Sequence, residues 1–163
     1  MKAAEDELNK LRELYDRDFV LWTEEQAAAL RRAKDSNLPL DWANLAEEIE
    51  SLGKSDRRAL RSQITRVLRH LLKLEVSTAA GPRAGWRETI VDARTEIELV
   101  LEDSPSLRRD IAELIEKLNP IAAKLACSDL AQHDEPAAAV WERVKQGFTA
   151  DQVLDDWFPD PPE

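Results

Sequence analysis

The sequence contains one cysteine, only four glycines and no long hydrophobic run. The single thiol, Cys127, excludes an internal disulfide framework and a metal site built from several thiolates. We expect Cys127 to be a small buried side chain and not a nucleophile. No apolar run approaches the roughly 18 to 20 residues that a membrane span needs, and the acidic start MKAAEDELNK lacks the apolar stretch of a secretory signal. These absences predict a cytoplasmic protein.

The composition favours a helical protein. Leucine and alanine supply many of the apolar residues in this chain of 163 residues, and 34% of all residues are charged. Such residues favour helices with one apolar and one solvated face. We predict an all-α fold, a helical bundle of about five to six amphipathic helices that includes one or two long ones. We expect a single helical domain over residues 1–158, followed by a disordered tail at 159–163.

The chain is acidic, with a net charge of −10, but its charges are unevenly spread. Residues 54–78 carry an excess of positive charge, and the segments before and after are acidic. The overall charge disfavours attraction of the whole surface to nucleic acid or to anionic lipid. A basic stripe within this segment nevertheless leaves nucleic-acid binding as a third functional hypothesis. The basic stripe consists of Lys54, Arg57, Arg58, Arg61, Arg69 and Lys73.

Apolar residues recur at steps of three and four along the first half of the chain, which is typical of amphipathic helices. One series predicts a helix over residues 8–33. A second series predicts a long helix over 42–76, with Asp41 as its N-cap. The members of this series, which we expect on the buried face, are Trp42, Leu45, Ile49, Leu52, Leu60, Ile64, Val67, Leu71 and Leu74. Gly53 interrupts this series, and it is either a weak point within one helix, which we favour, or the end of one helix before another begins.

The apolar pattern continues over residues 86–102. Ser104 followed by Pro105 is a favoured helix start, so we expect another helix there. Pro120 lies within the apolar series of that helix, which predicts a kink or a short break. The residues that we expect on its buried face are Leu107, Ile111, Leu114, Leu118, Ile121 and Leu125.

The last part of the chain is less regular. We expect one helix to start at Pro136, and we expect a capping box at Thr149 to open a short final helix that ends at Trp157. The residues predicted to face inward are Val140, Trp141, Val144 and Phe148.

An acidic row on the helix predicted over 86–102 consists of Glu88, Asp92 and Glu96. Like charges at this spacing are mildly destabilising in an isolated helix. We therefore predict that the acidic row faces the basic stripe, either within one chain or across a dimer. The alternative is that both surfaces are solvated.

Glu48 and His70 form the first candidate binding set, because helical bundles hold metals with carboxylate and histidine side chains that project inward. The sequence lacks the Glu-x-x-His motif of di-metal bundles. On a continuous helix the two residues would be about 33 Å apart, at about 1.5 Å per residue, and could not bind one ion. Only a turn at Gly53 would bring them together. The alternative for His70 is a half-buried side chain with a hydrogen-bond partner.

Trp86, Arg87 and Arg94 border one apolar face and form the second candidate set. Two arginines on one side of a helix can clamp an anion through bidentate hydrogen bonds. The alternative is that they form salt bridges to a neighbouring helix, for example to Glu47 or Glu50. The segment DSPSLRR offers a further anion site, since a helix N-terminus followed by two arginines attracts negative charge.

Four segments resemble a known family. They are YDRDFVLWTEEQAAALR, LDWANLAEEIESLGKSDRRALRSQITRVLRHLLKLE, WRETIVDARTEI and LEDSPSLRRDI. Together they are similar to the bacterial Domain of Unknown Function 29 family over roughly residues 15–130, and EEIESLGKS and HLLK are specific in combination. The segment QVLDDWFPDPP resembles a variant of the aromatic-proline end of that family. The resemblance implies an α-helical bundle in the bacterial cytoplasm, and it implies no activity.

No catalytic constellation is evident in the sequence, which does not decide whether the protein is an enzyme. We predict no catalytic residue, no metal ligand and no cofactor. The leading hypothesis is a helical protein–protein interaction or oligomerisation module that binds itself or another bacterial protein, without membrane association. The alternative is a small-ligand or metal-binding bundle that uses the candidate residues Glu48, His70, Trp86, Arg87 and Arg94.

Overall fold

The computed structural model describes residues 2–35, 37–133, 135 and 137–162. Within these ranges the chain forms seven α-helices and no strand, which confirms the predicted all-α fold. The helices are α1 (Lys2–Arg17), α2 (Phe19–Arg32), α3 (Trp42–Val76), α4 (Arg83–Asp103), α5 (Ile111–Ala131), α6 (Ala138–Gln146) and α7 (Ala150–Leu154). Short 3₁₀ segments follow α2 at Ala33–Asp35 and α4 at Pro105–Asp110. None of the described helices combines the length and apolar character needed to cross a membrane.

The chain divides into two compact units. The first unit comprises Met1–Ala59 and Leu99–Arg108, and the second comprises Leu60–Glu98 and Arg109–Glu163. The helices α3 and α4 each contribute residues to both units. The single domain over 1–158 and the disordered tail stay predictions, although the tail residue Pro159 is buried.

In the first unit, the helix predicted over residues 8–33 is two helices, α1 and α2, which are separated by Asp18. Asp18 has an extended backbone (φ −159°, ψ 94°), and its Oδ1 accepts a hydrogen bond from the backbone N–H of Leu21 at 2.9 Å. Its carboxylate also accepts hydrogen bonds from the backbone N–H and the hydroxyl of Ser106, at 2.6 and 2.9 Å. The prediction of one helix is wrong because a non-helical Asp18 gains these bonds.

Ser104 is buried and does not cap α5 as the sequence predicted. Its hydroxyl accepts a hydrogen bond from the backbone N–H of Val20, at 3.1 Å, and α5 begins only at Ile111. The start of α2 and the corner after α4 therefore exchange hydrogen bonds in both directions. The anion that meets the DSPSLRR segment is thus a carboxylate of the same chain, that of Asp18.

The long helix predicted over 42–76 is present as α3, and Asp41 caps it as expected. Gly53 is buried within α3, and a Cβ atom at this position would lie 2.3 Å from Oγ1 of Thr23 on α2. Thr23 is also buried, and its hydroxyl donates to the carbonyl of Val20 at 2.7 Å. Glycine at position 53 therefore permits a close contact between α2 and α3.

The apolar series of α3 has different environments in the two units. In the first unit, Leu45 and Leu52 are 41% and 47% exposed, whereas Ala46 and Gly53 are buried. The predicted burial is wrong there because small residues make the close helix contact. It is correct in the second unit, where the fully buried residues are Leu60, Ile64, Val67, Leu68, Leu71, Leu72 and Leu74.

In the second unit, α5 continues through Pro120 without the short break that the sequence allowed. After this proline, Ile121 and Leu125 are 47% and 38% exposed, contrary to prediction. The buried residues there are Ala122, Ala123, Ala126 and Leu130. After Pro120, α5 therefore packs against the core mainly through alanines. A pattern of large apolar residues does not reveal this.

The last helices confirm part of the prediction. Thr149 forms the expected capping box with Gln152 at the start of α7. Val140 and Phe148 are buried, but Trp141 is 41% exposed and does not face inward. The predicted helix start at Pro136 lies outside the described residues, and α6 begins at Ala138.

Candidate functional site

A cavity of about 540 Å³ lies within the second unit, between residues of α3, α4 and α5. This volume is in the range typical of small-molecule sites. Ala79, Pro82 and Leu130 contribute to its apolar lining. The aromatic and ionisable residues of the lining are Arg69, Lys73, Trp86, Asp129, His133 and Glu135.

Asp129 of α5 joins two cations of α3 at this cavity. Its carboxylate accepts a bidentate pair of hydrogen bonds from Arg69, in which Nε of Arg69 lies 2.7 Å from Oδ2. The ammonium of Lys73 lies 3.0 Å from the same oxygen. Lys73 is only 5% exposed, and its Nζ lies 4.8 Å from the ring centroid of Trp86. One carboxylate therefore serves two cations beside an aromatic face.

The pKa values of this cluster are shifted by burial and by the ion pairs. Burial alone would raise the pKa of Asp129, but hydrogen bonds from Arg69 and Lys73 hold it below its usual value. Burial lowers the pKa of Lys73, and Asp129 opposes this shift. The pKa of Arg69 is raised by its hydrogen bonds to Asp129. Burial thus disfavours the charged form of Lys73, and the Asp129 carboxylate favours it.

His70 is half-buried on α3. Burial, together with the positive charges of Lys73 and Arg69, lowers its pKa to about 4, and Asp129 opposes the shift. The imidazole is therefore neutral at pH 7. Its Nδ1 atom is buried and has no hydrogen-bond partner among the described residues, so the expected partner is missing at this nitrogen.

Glu48, the other member of the first candidate set, is exposed on α3. The helix is continuous from Trp42 to Val76. Glu48 and His70 are therefore too far apart along it to bind one ion. In the part of the chain that the structure describes, no group of three or more His, Cys, Asp and Glu side chains is placed to hold a metal.

The second candidate set divides between two places. Trp86 lines the cavity, whereas Arg94 is buried and holds the end of the chain. Nε and Nη2 of Arg94 donate to the backbone carbonyls of Val153, Gln152 and Trp157, at 3.0, 2.9 and 2.7 Å. Burial lowers the pKa of Arg94, and Asp156 and Asp155 oppose this shift.

Arg87 of α4 is exposed and shares one aromatic ring with Arg94. The guanidinium carbons of Arg87 and Arg94 lie 4.8 and 4.9 Å from the ring centroid of Phe158. The two arginines thus contact Phe158 from α4, and Arg94 already donates to backbone oxygens. Clamping of a ligand anion by this pair stays a prediction.

The described ion pairs of the basic stripe are made with carboxylates outside the acidic row. Lys54 lies 3.2 Å from Glu50, and Arg57 lies 2.6 Å from Glu24. Arg69 and Lys73 bind Asp129. All three members of the acidic row, Glu88, Asp92 and Glu96, are exposed.

Cys127 is half-buried, and its Sγ lies 3.7 Å from the carbonyl oxygen of Ala137. Burial raises the pKa of this thiol. A raised pKa decreases the thiolate fraction, so the environment of Cys127 disfavours a nucleophilic role.

The cavity brings together three charged residues that the sequence-based search did not select as a binding set. Arg69 and Lys73 were assigned to the basic stripe, and Asp129 lies on a different helix. The sequence feature that could have indicated the site is Lys73, because it lies between Leu72 and Leu74 in a run of buried residues. A buried lysine requires a nearby carboxylate, but the sequence does not identify which one.

The fold and the cavity define an all-α helical protein with a site of ligand size. The chain belongs to the family described as Domain of unknown function DUF29, whose sequence profile matches residues 14–158. This match confirms the family resemblance.

One solved structure shows the same fold. It is an alpha-helical protein of unknown function from Rhodospirillum rubrum ATCC 11170, and the two chains are 26% identical. The similarity has a TM-score of 0.68 and covers 89% of this chain and 91% of the other. A comparison with curated proteins gives no match. Neither the family nor the solved structure assigns an activity.

Proposed function

We propose that the protein is a bacterial, cytoplasmic interaction module without catalytic activity, and that its partner is a second copy of the same chain. The observation that carries this proposal is the presence of two exposed helix faces of opposite charge, one on α3 and one on α4. The family resemblance supports the bacterial cytoplasm as its location.

The exposed face of α4 is acidic and partly apolar. Glu88, Asp92 and Glu96 lie along it at helical spacing and are exposed. Val91 and Leu99 are 48% and 50% exposed on the same helix. At 100° per residue these five side chains share one side of α4, so an apolar strip is accompanied by negative charge.

The exposed face of α3 that carries Arg58 and Arg61 is basic. Both arginines are exposed, and at 100° per residue they lie about 60° apart around the helix. Nε of Arg58 donates to the carbonyl of Lys54 at 3.2 Å. In the described ranges, no carboxylate forms an ion pair with Arg58 or Arg61. These arginines are therefore available to the carboxylates of another molecule.

A second copy satisfies both faces at once. In a two-fold dimer, each α3 face meets the α4 face of the partner, so every contact occurs twice. Opposite charges select this pairing and speed its formation, while the apolar side chains supply burial. The pairing across a dimer that the sequence predicted is thus supported by the exposure of both faces.

The test is sedimentation equilibrium on the wild type and on two charge-reversed double variants. We expect the wild type to dimerise in low salt, and we expect R58E/R61E and D92R/E96R each to be monomeric. An equimolar mixture of the two variants is expected to recover heterodimers, because the reversed faces are again complementary. The control double variant R108E/K124E reverses two exposed cations outside both faces and is expected to dimerise normally.

A wild type that stays monomeric at about 100 µM, far above the micromolar range of ordinary association, contradicts the proposal. Dimers that survive both reversals, or a mixture that stays monomeric, show that the α3 and α4 faces are not the interface.

A further inference from the structure

The cavity of the second unit is independent of the two exposed faces in the proposed function. Its volume of about 540 Å³ is ample for a small metabolite, and the described residues of its lining combine apolar surface with four charged side chains. Trp86 contributes a large aromatic surface, and Leu130 and Pro82 extend the apolar part. Such a combination of an apolar wall with a few placed charges is typical of small-ligand sites.

Two of the charges are the cations Arg69 and Lys73, which share Asp129. The ammonium of Lys73 has three donor hydrogens, and its described contacts are Asp129 and the face of Trp86. Because one carboxylate cannot neutralise two cations, this part of the cavity keeps one positive charge. It therefore suits a carboxylate of the ligand.

The remaining charge among the described residues of the lining is Glu135, which follows α5 and is half-buried. Within this described set, the carboxylates of Asp129 and Glu135 balance Arg69 and Lys73. A ligand with a net negative charge would leave Glu135 unpaired, whereas a ligand with an additional ammonium group would pair with it. The charge distribution thus favours a molecule that carries one charge of each sign.

We propose that this cavity binds a small zwitterion of the amino-acid type. Its carboxylate binds Lys73 and Arg69, its ammonium group binds Glu135, and its apolar side chain packs against Trp86. Lys73 is largely desolvated, which strengthens its interaction with a ligand carboxylate relative to the same contact at the surface.

Isothermal titration calorimetry with three matched probes tests the two charges. L-Phenylalanine has both groups, 3-phenylpropionate lacks the ammonium group, and phenethylamine lacks the carboxylate. We expect L-phenylalanine to bind, and each analogue to bind at least about tenfold more weakly, because each loses one hydrogen bond between charged groups. L-Leucine, which has a smaller apolar side chain, serves as a second amino-acid probe.

Two variants locate the binding. Glu135→Gln is expected to weaken L-phenylalanine binding about tenfold and to leave 3-phenylpropionate binding unchanged. Lys73→Met is expected to abolish binding of both. Since Lys73 is buried and its loss leaves the fold with altered packing, the Glu135→Gln result decides the matter if Lys73→Met does not fold. The control Lys124→Gln, on the exposed side of α5, is expected to bind like the wild type.

Three results overturn the proposal. They are the absence of binding by both amino acids at millimolar concentration, equal affinity for all three phenyl probes, and unchanged L-phenylalanine affinity in Glu135→Gln.

Discussion

The two units are stabilised by different kinds of contact. In the second unit, large aliphatic side chains of α3 are fully buried, including Leu71 and Leu72. In the first unit, α3 meets α2 through Gly53 and Thr23, and Asp18 and Ser104 provide hydrogen bonds between segments. Large apolar residues that are exposed in the first unit are Leu8, Tyr15, Leu38, Leu40, Leu45, Leu52 and Leu99.

This difference shows that a continuous apolar pattern on one helix does not imply a continuous core. In the second unit the stability of the fold comes from burying large side chains. Replacing one of them by a smaller residue should therefore lower the free energy of unfolding strongly. In the first unit the contact between α2 and α3 at Gly53 depends on the lack of a side chain, so a larger residue there should lower the free energy of unfolding. The following four substitution pairs test this contrast.

The largest effect is expected from Leu71→Ala in the second unit. Removal of this fully buried side chain leaves a cavity and should lower the free energy of unfolding by about 2–5 kcal/mol. The matched change Leu45→Ala, on the exposed part of the same helix, should cost less than about 0.5 kcal/mol. Urea denaturation followed by circular dichroism measures both. Similar losses for the two variants would show that the units are not packed differently.

The second effect is acid sensitivity of the second unit through His70. Its pKa is lowered from 6.5 to about 4, so the unfolded chain binds a proton that the folded chain does not bind. Stability from this residue is present above pH 6.5 and is lost as the pH falls toward 4, by up to about 3 kcal/mol. Urea denaturation at a series of pH values should show this slope in the wild type and not in His70→Leu.

The comparison with His70→Leu isolates the histidine from other titrating groups. Burial raises the pKa of Glu75, against the effect of Arg143, and this carboxyl therefore acts in the opposite direction near its own pKa. Both proteins contain Glu75, so its contribution cancels in the difference. His133→Leu, a change at an exposed histidine, should retain the wild-type slope. An identical pH dependence in His70→Leu would refute the assignment.

A smaller effect is expected from alanine at two glycines, one in each unit. Gly53→Ala places a Cβ atom 2.3 Å from Oγ1 of Thr23 and should destabilise the protein by about 1–3 kcal/mol. Gly85→Ala meets no atom within 4 Å and should stabilise α4 by up to about 1 kcal/mol, because alanine is the better helix former. Thermal unfolding of both variants measures the sign. Stabilisation by both alanines would exclude a close contact at Gly53.

The smallest effect is expected from Asp18→Ala, which removes the cap of α2 and the acceptor for Ser106. The free energy of unfolding should fall by about 1 kcal/mol, and amide hydrogen exchange at Leu21 should become faster. The exposed Asp16, on the last turn of α1, provides the control Asp16→Ala. If Asp18→Ala and Asp16→Ala lower the free energy of unfolding equally, the break between α1 and α2 does not depend on the Asp18 cap.

Periodicity predicted the all-α fold and the continuity of α3, because both depend on local spacing. It also predicted the buried residues of α3 from Leu60 onward. It failed at Asp18, where the apolar series continues across the break and the decisive hydrogen bonds come from Ser106, 88 residues away. It failed again at Leu45 and Leu52. Spacing alone does not show that the buried side of α3 here is the side of Gly53, next to α2, and not the side of the leucines.

Of the residues that line the cavity, only Trp86 belongs to the candidate binding sets named from the sequence. The charged residues of the cavity come from α3, α5 and the segment after α5, and their proximity is a property of the folded chain. The two arginines that the sequence paired, Arg87 and Arg94, are instead joined by Phe158. Periodicity placed them correctly on one side of α4, but it could not show that the end of the chain occupies that side.

The hydrogen bonds of Arg94 are made to peptide carbonyls, and therefore they do not depend on which side chains occupy positions 152, 153 and 157. Substitutions at these three places remove none of the three acceptors, although Val153 is itself buried and Gln152 completes the capping box of α7. Deletion of the chain from Trp157 onward would remove an acceptor itself. The hydrogen bonds between Arg94 and this segment should thus tolerate substitution of its side chains better than deletion of its backbone.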